Sequence, residues 1–185
     1  MEIIWVKTMA LFYFNEAMKQ QELKRDFISL IEQLEKNFNK TKDVQVLLTI
    51  IAYSWYCYVE GPCIKKNISD DEIDFFCKKW AQYHELGIKE FLNSPEFCLV
   101  AGYSYSMDGF MIHDERLYKE KLGYELIKRC FDATQDENLK NISSYLLNNS
   151  RKRKLNNAEQ ICRQLFPTDS ELDEYFKGVL TYSFK

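Results

Sequence analysis

Residues that break helices are scarce in this chain, and their scarcity constrains the fold more than any other feature of the sequence. Six glycines and three prolines are spread over 185 residues. A sheet sandwich would need a turn signal roughly every 8 to 12 residues. Because 46% of the residues are apolar, the chain can also bury a core. The sequence therefore predicts an all-α protein.

Apolar residues recur at the three- and four-residue spacing of a helix face in several segments. The clearest stripe is Phe27, Leu30, Ile31, Leu34 and Phe38. The opening apolar segment, 3–18, is ambiguous between strand and helix. Its length and the lack of a breaker favour a helix.

Helix starts are marked by capping boxes, in which a Ser or Thr hydroxyl and a Glu carboxylate three residues later bond each other's backbone amides. The predicted pairs are Ser69 with Glu72, Thr134 with Glu137, and Thr168 with Glu171. Ser94 before Pro95 marks a further start, since proline is well tolerated at the first helical position. Together these signals predict about eight helices.

Two stretches partly echo each other, TIIAYSWYCYVEGPCI at 49–64 and FCLVAGYSYSMDGFMI at 97–112. Both run from aliphatic into aromatic and small residues and then reach an acid followed by glycine. We expect each to be the inner helix of a helical hairpin. The first, over 44–58, should be the most buried element, and an extended connection should follow it over 61–69.

The segments that follow the two inner helices each contain a Leu-Gly pair, at Gly87 and Gly123, where another backbone can approach closely. The hairpins over 43–149 resemble helix-turn-helix repeats of the tetratricopeptide kind. An irregular helical bundle is the other architecture that fits. Since no linker is visible, we expect a single domain over 1–185, with N-terminal helices over 1–42, the hairpin-repeat core over 43–149 and C-terminal helices over 150–185.

Charge and targeting signals narrow the function classes. A net charge of −3 and a pI near 5.6 argue against direct nucleic-acid binding. No signal peptide or run of about 18 apolar residues is visible, so we expect a cytoplasmic protein without membrane contact. The six cysteines stand singly, mostly among apolar neighbours, as reduced and buried cysteines do.

No catalytic or metal-binding motif is present. The chain lacks C-x-x-C, H-E-x-x-H, an EF-hand loop and the glycine-rich phosphate loops. His84 lies on an apolar stripe and is interpreted as a hydrogen-bonded histidine of the core or its boundary. We therefore expect no catalytic residues, no metal, no cofactor and no enzymatic activity. An enzyme that works through a Cys-His pair stays open as an alternative.

Acidic and aromatic residues near the predicted helix ends form the candidate partner-binding surface. Acids at loops of a rigid scaffold can steer a basic partner, and tyrosines are common interface anchors. The candidate residues are Asp70, Asp71, Asp74, Tyr103, Tyr105, Asp108, Asp114 and Glu115.

In size, helical class and Tyr/Gly-rich hairpins, the chain resembles the helical immunity proteins of bacterial contact-dependent growth inhibition and related polymorphic toxin systems. That resemblance implies a partner protein, a cognate toxin domain that is often a basic nuclease, and inhibition by masking its active site or substrate surface. The alternative is a tetratricopeptide-like adaptor or regulator that binds a peptide segment of a partner. The sequence leaves the oligomeric state open.

Overall fold

The computed structural model describes residues 10–108, 116–148 and 157–181. All regular structure in these residues is α-helical, which confirms the predicted class. Nine helices lie in the described part of the chain, close to the predicted number. They are α1 (Glu16–Lys24), α2 (Phe27–Thr41), α3 (Val44–Ile64), α4 (Asp70–Glu90), α5 (Pro95–Asp108), α6 (Arg116–Ala133), α7 (Glu137–Leu147), α8 (Ala158–Leu165) and α9 (Glu171–Thr181).

Helix α3 lies at the centre of the packing. It contacts α2, α4, α5 and α9, and every residue over 46–55 is buried. A helix that is apolar all round must be covered on all sides. Those four helices provide the cover, and helices that follow one another pair as hairpins, in which α2 packs on α3, α3 on α4, α5 on α6, α6 on α7 and α8 on α9. The predicted deep burial of this inner helix is confirmed.

Helix α3 extends further than predicted. In place of an extended connection over 61–69, the helix continues through Gly61 and Pro62 to Ile64. Pro62 removes one helical N–H, and a glycine costs about 1 kcal/mol relative to alanine within a helix. Packing outweighs both costs, because the missing side chain of Gly61 makes room for Ile68, whose Cδ1 lies 2.8 Å from the position of a Cβ. The predicted connection is wrong in its first part.

The chain before α1 is not helical where the structure describes it. The helix predicted over 3–18 begins only at Glu16, and residues 10–15 form neither helix nor strand. Their backbone groups are used by tertiary partners instead. The amide of Leu11 donates to the carbonyl of Leu165 at 2.7 Å, and the amide of Tyr13 donates to the Thr49 hydroxyl at 2.8 Å.

The starts of α4 and α5 form as predicted. The Ser69 hydroxyl accepts from the Glu72 amide at 3.3 Å, and the Glu72 carboxylate accepts from the Ser69 amide at 3.0 Å, which completes the capping box. Before α5, the Ser94 hydroxyl accepts from the Phe97 amide at 3.2 Å, and Pro95 is the first helical residue.

The capping boxes predicted at Thr134 and Thr168 do not form. The carboxylate of Asp136 caps α7, and the Thr134 hydroxyl accepts from the Asp136 amide at 3.1 Å. Before α9, the Ser170 hydroxyl accepts from the Asp173 amide at 3.0 Å. In both places a residue immediately before the helix binds the free amides of its first turn, because it is closer to them than the threonine.

A pair of glycines sets the distance between α5 and α6. A Cβ at Gly102 would lie 2.8 Å from the Gly123 carbonyl oxygen, and a Cβ at Gly123 would lie 2.8 Å from both the Gly102 oxygen and the Ser106 nitrogen. The close backbone approach predicted at Gly123 is confirmed. At Gly87 the neighbour is the ring of Phe97, whose Cε2 would lie 2.1 Å from a Cβ, and not a backbone.

We expect Gly123→Ala to lower the free energy of unfolding by about 2 kcal/mol, because the new methyl group would meet backbone atoms that cannot rotate away. Urea unfolding followed by circular dichroism measures the change. Gly61→Ala is the matched control in another helix. Its methyl group would meet only the movable end of Ile68, so its stability should stay within about 1 kcal/mol of the unmodified protein. Equal losses of stability in the two variants would contradict the conclusion that Gly123 is needed for the close approach of α5 and α6.

Candidate functional site

Three of the candidate acids stand together at the start of α4. Asp70, Asp71 and Asp74 are exposed, and none of them forms an ion pair with another described residue. Two of them lie in the first helical turn, where the helix dipole stabilises negative charge. We call these three residues the acidic tip. Their charge is available to a partner.

The fourth acid of this segment has a structural role. Glu72 bonds Ser69 in the capping box, and its other oxygen accepts from Lys65 Nζ at 2.6 Å. The hydrogen bond from Lys65 and the backbone bond from Ser69 lower the pKa of this carboxyl group. Glu72 therefore fixes the orientation of the acidic tip.

Helix α4 is anchored behind the acidic tip by large side chains. Phe76, Trp80, Tyr83 and His84 are all buried, and Tyr83 packs edge-on against Phe38 of α2, with ring centroids 6.0 Å apart. The acidic tip is thus carried by an element that the core holds in place.

The other candidate acids lie at the last residue of α5 or beyond it in the sequence. Asp108 is the last residue of α5. Asp114 and Glu115 lie outside the described residues. Whether these acids extend the acidic tip stays a prediction.

Tyr103 was predicted to belong to the partner-binding surface, and the structure shows that this prediction is wrong. Its side chain is only 5% exposed. Its ring packs edge-on against Trp55, with centroids 5.6 Å apart, and at a tilt against Phe176, with centroids 5.5 Å apart. Because α3, α6 and α7 all cover α5, this residue points into the core. It is not available as an interface anchor.

Tyr105 is half-buried and belongs to an aromatic cluster between α4 and α5. Its ring lies 4.2 Å from that of His84 and 5.5 Å from that of Trp80. His84 is fully buried, and its Nε2 lies 2.9 Å from the Ser104 hydroxyl, which donates to the Ala101 carbonyl. The interpretation of His84 as a core histidine is confirmed.

A second group of tyrosines lies where α3 meets α9. Tyr56 and Tyr175 are half-buried, and their ring centroids are 5.1 Å apart. Glu60 follows Tyr56 by one helical turn, so both lie on the same face of α3. It is also half-buried, and it forms no ion pair with another described residue. We call Tyr56, Glu60 and Tyr175 the Tyr–Glu patch.

The charge of Glu60 acts on the hydroxyl groups of the Tyr–Glu patch. Burial raises the pKa of Tyr56, and the negative charges of Glu171 and Glu60 raise it further. Burial also raises the pKa of Tyr175, and Glu60 adds to that shift. Both hydroxyls therefore stay protonated, and the free negative charge of the patch is that of Glu60.

Sequence reasoning missed a buried carboxylate in α1. Glu22 is 4% exposed and accepts hydrogen bonds from the Tyr53 hydroxyl and from the Glu171 amide, the latter at 3.0 Å. Burial raises the pKa of Glu22, and the two bonds offset only part of that effect. The available signal was its spacing of four residues from buried Met18 on an otherwise polar helix.

Ion pairs connect the same helix to the start of α9. Lys19 Nζ lies 2.5 Å from the Asp169 carboxylate, and Arg25 pairs with Glu171. A second buried acid, Asp173, accepts from the amide and the hydroxyl of Thr168 at 2.8 and 2.7 Å. Polar groups therefore fasten α1 to the C-terminal part of the described chain.

A small cleft lies between the start of α4 and the corner that joins α1 to α2. It encloses about 240 Å³, including its open mouth. Its charged lining residues are Arg25, Lys65 and Glu72, and each has an ion-pair partner. The cleft therefore offers no uncompensated charge to a ligand.

Three of the buried thiols have raised pKa values. Burial raises the pKa of Cys98 to about 11 and that of Cys130 to about 12. Burial also holds the pKa of Cys57 well above its usual range. A nucleophilic cysteine needs the opposite shift.

Among the described residues, no group of three or more His, Cys, Asp or Glu side chains is placed to hold a metal ion. In the same part of the chain, no helix has the length and apolarity that crossing a membrane requires.

Comparisons of the chain with protein-family models, with curated protein sequences and with solved structures give no match. The acidic tip and the Tyr–Glu patch are therefore the features of the described residues that bear on function.

We expect Glu22→Gln to stabilise the protein at pH 7 relative to the unmodified chain. Folding raises the pKa of Glu22 above its ordinary value of 4.5, so the cost of the buried charge is absent below that pH and grows as the pH rises through the folded-state pKa. The advantage of the glutamine should therefore shrink as the pH is lowered towards 4.5. Urea unfolding across this pH range measures it.

Glu22→Ala is the control for the hydrogen bonds. It leaves the Tyr53 hydroxyl and the Glu171 amide without an acceptor, which should cost about 2 kcal/mol at pH 7. If Glu22→Gln were less stable than the unmodified protein by an amount that grows with pH, the carboxylate would be a net stabilising group.

We expect Cys63, which is exposed, to react first with a chromogenic disulfide reagent at pH 7. The buried thiols should react only as the protein unfolds, because their thiolates are rare and shielded. Cys63→Ser should remove the fast phase. A fast phase that survives in this variant would identify another reactive thiol and would favour the Cys-His enzyme.

Proposed function

We propose that this chain is an immunity-type protein that binds a cognate toxin domain and masks its active site or its substrate surface. The observation that carries the proposal is the acidic tip, whose three exposed carboxylates form no ion pair with other described residues. The partner that fits such a surface is a basic domain, and a nuclease is the class of toxin that must itself be basic to hold nucleic acid.

The placement of the acidic tip supports a role in binding. It stands at the start of a helix whose apolar face is packed in the core through Phe76, Trp80 and Tyr83, so little conformational freedom is lost when a partner binds. Unpaired charges on a rigid surface accelerate association and orient the partner.

The thiol and imidazole groups favour a binding protein over an enzyme. The buried thiols have raised pKa values, and His84 is fully enclosed by its aromatic neighbours and Ser104. The proposal needs no cofactor, no metal and no direct contact with nucleic acid.

An adaptor that binds a peptide segment is the second candidate. The successive pairing of α3 with α4 and of α5 with α6 favours it, since grooves between helical hairpins hold extended peptides in repeat proteins. It would retain its partner when that partner is shortened to a peptide, whereas an immunity protein needs the folded domain. Truncation of a proven partner separates the two.

We expect this chain to restore growth when it is expressed with the C-terminal domain encoded immediately upstream in its native genome. That domain should stop growth when expressed alone. Continued toxicity while this protein is demonstrably present would contradict the pairing, and so would a harmless domain.

Reversal of the three charges of the acidic tip, in D70K/D71K/D74K, should lower the association rate with the toxin domain about tenfold or more at low salt and remove most of its salt dependence. Stopped-flow mixing at several salt concentrations measures this. The matched control, E85K/E90K/E125K, reverses three exposed acids elsewhere and should change the rate much less. Equal effects would show that only net charge matters, and the acidic tip would not be the contact.

A further inference from the structure

The Tyr–Glu patch has the composition of a site for a cationic side chain. It offers two adjacent aromatic rings, 5.1 Å apart between centroids, and one carboxylate that forms no ion pair with other described residues. Aromatic faces attract guanidinium and ammonium groups, and the attraction grows as water is excluded. The tyrosine rings can stack on a cationic group, and the neighbouring carboxylate can pair with its charge.

The rings of the patch pack on a buried tryptophan. Trp55 is 1% exposed and packs edge-on against Tyr175, with centroids 5.7 Å apart. Tyr103 also packs edge-on against the same indole, with centroids 5.6 Å apart. Because these contacts join α3, α5 and α9, the rings of the patch are held in place before any ligand arrives.

The charges around the patch leave Glu60 as the group that needs a partner. On α9, Glu171 pairs with Arg25, and Glu174 pairs with Lys177 at 2.7 Å. Glu60 has no such neighbour within the described residues, and it is half-buried. A carboxylate in this setting is stabilised by a cation that brings its own hydrogen-bond donors.

We propose that the Tyr–Glu patch binds an arginine side chain of a partner protein, which stacks on the rings of Tyr56 and Tyr175 while its N–H groups donate to Glu60. Arginine fits better than lysine, because a planar guanidinium stacks on rings and donates to a carboxylate at the same time. This surface is separate from the acidic tip, and the proposal holds for any partner that presents such a side chain.

The probe is the peptide acetyl-Gly-Gly-Arg-Gly-Gly-amide, titrated into the full-length chain labelled with ¹⁵N. We expect saturable shifts of the Glu60 and Tyr175 amides and of the Trp55 indole N–H. The same peptide with citrulline, which keeps the shape and removes the charge, should bind at least tenfold more weakly. A lysine peptide should bind more weakly than the arginine peptide.

Two substitutions test the roles of the patch residues. Glu60→Gln removes only the charge and should weaken binding at least fivefold. Tyr175→Leu should do the same by removing a ring, whereas Tyr175→Phe keeps the ring and should bind as the unmodified chain does. Unfolding curves of each variant separate a loss of binding from a loss of fold.

The proposal is overturned if the citrulline peptide binds as well as the arginine peptide, or if Glu60→Gln binds normally. It is also overturned if the shifts map to residues 70–74 and disappear in D70K/D71K/D74K, since the acidic tip would then be the cation-binding surface. If the peptide binds at the Tyr–Glu patch but the chain does not restore growth, the immunity function is contradicted and the arginine site is supported. If the chain restores growth but no peptide binds at the patch, the arginine site is contradicted and the immunity function is supported.

Discussion

The burial of α3 on every side is the constraint on which the rest of the structure depends. A helix that is covered around its whole circumference over 46–55 needs neighbours in all directions. Its neighbours are α2 and α4, which adjoin it in the sequence, and α5 and α9, which follow later in the chain. Helix α6 packs on α5. The two helices can approach to backbone contact because Gly102 faces Gly123. The arrangement of the described hairpins follows from this one helix.

Polar contacts join α1 to the start of α9 at the edge of the apolar core. Helix α1 is mostly polar. Besides the buried side chain of Met18, it is held by Glu22, by the Lys19–Asp169 pair and by the Arg25–Glu171 pair. A buried carboxylate is stable there only because it has two donors, Tyr53 and Glu171. Such contacts are directional, so they fix how α1 and α9 meet more sharply than apolar packing would.

The same scaffold presents two negatively charged surfaces of different kinds. The acidic tip concentrates exposed charge, which acts at a distance and mainly affects the rate of association. The Tyr–Glu patch combines one charge with aromatic surface at short range, which is the combination that affects how long a bound group stays. A basic protein domain that met both would be steered by the first and held by the second.

The sequence alone determined the helical class and the local signals that start helices. The stripe of Phe27, Leu30, Ile31, Leu34 and Phe38 is buried as predicted, and the caps at Ser69 and Ser94 form because their donors and acceptors lie within three residues of each other. Local bonds of this kind need no information from the rest of the fold.

Tertiary structure alone decided what depends on distant neighbours. Residues 10–15 stay outside the helix because Leu165 and Thr49 bond their backbone, and α3 passes Gly61 and Pro62 because packing outweighs propensity. Periodicity could not separate buried Tyr103 from half-buried Tyr105, since α5 is apolar on most sides. The Tyr–Glu patch joins residues more than a hundred positions apart in the sequence. Only the packing of α9 on α3 brings them together.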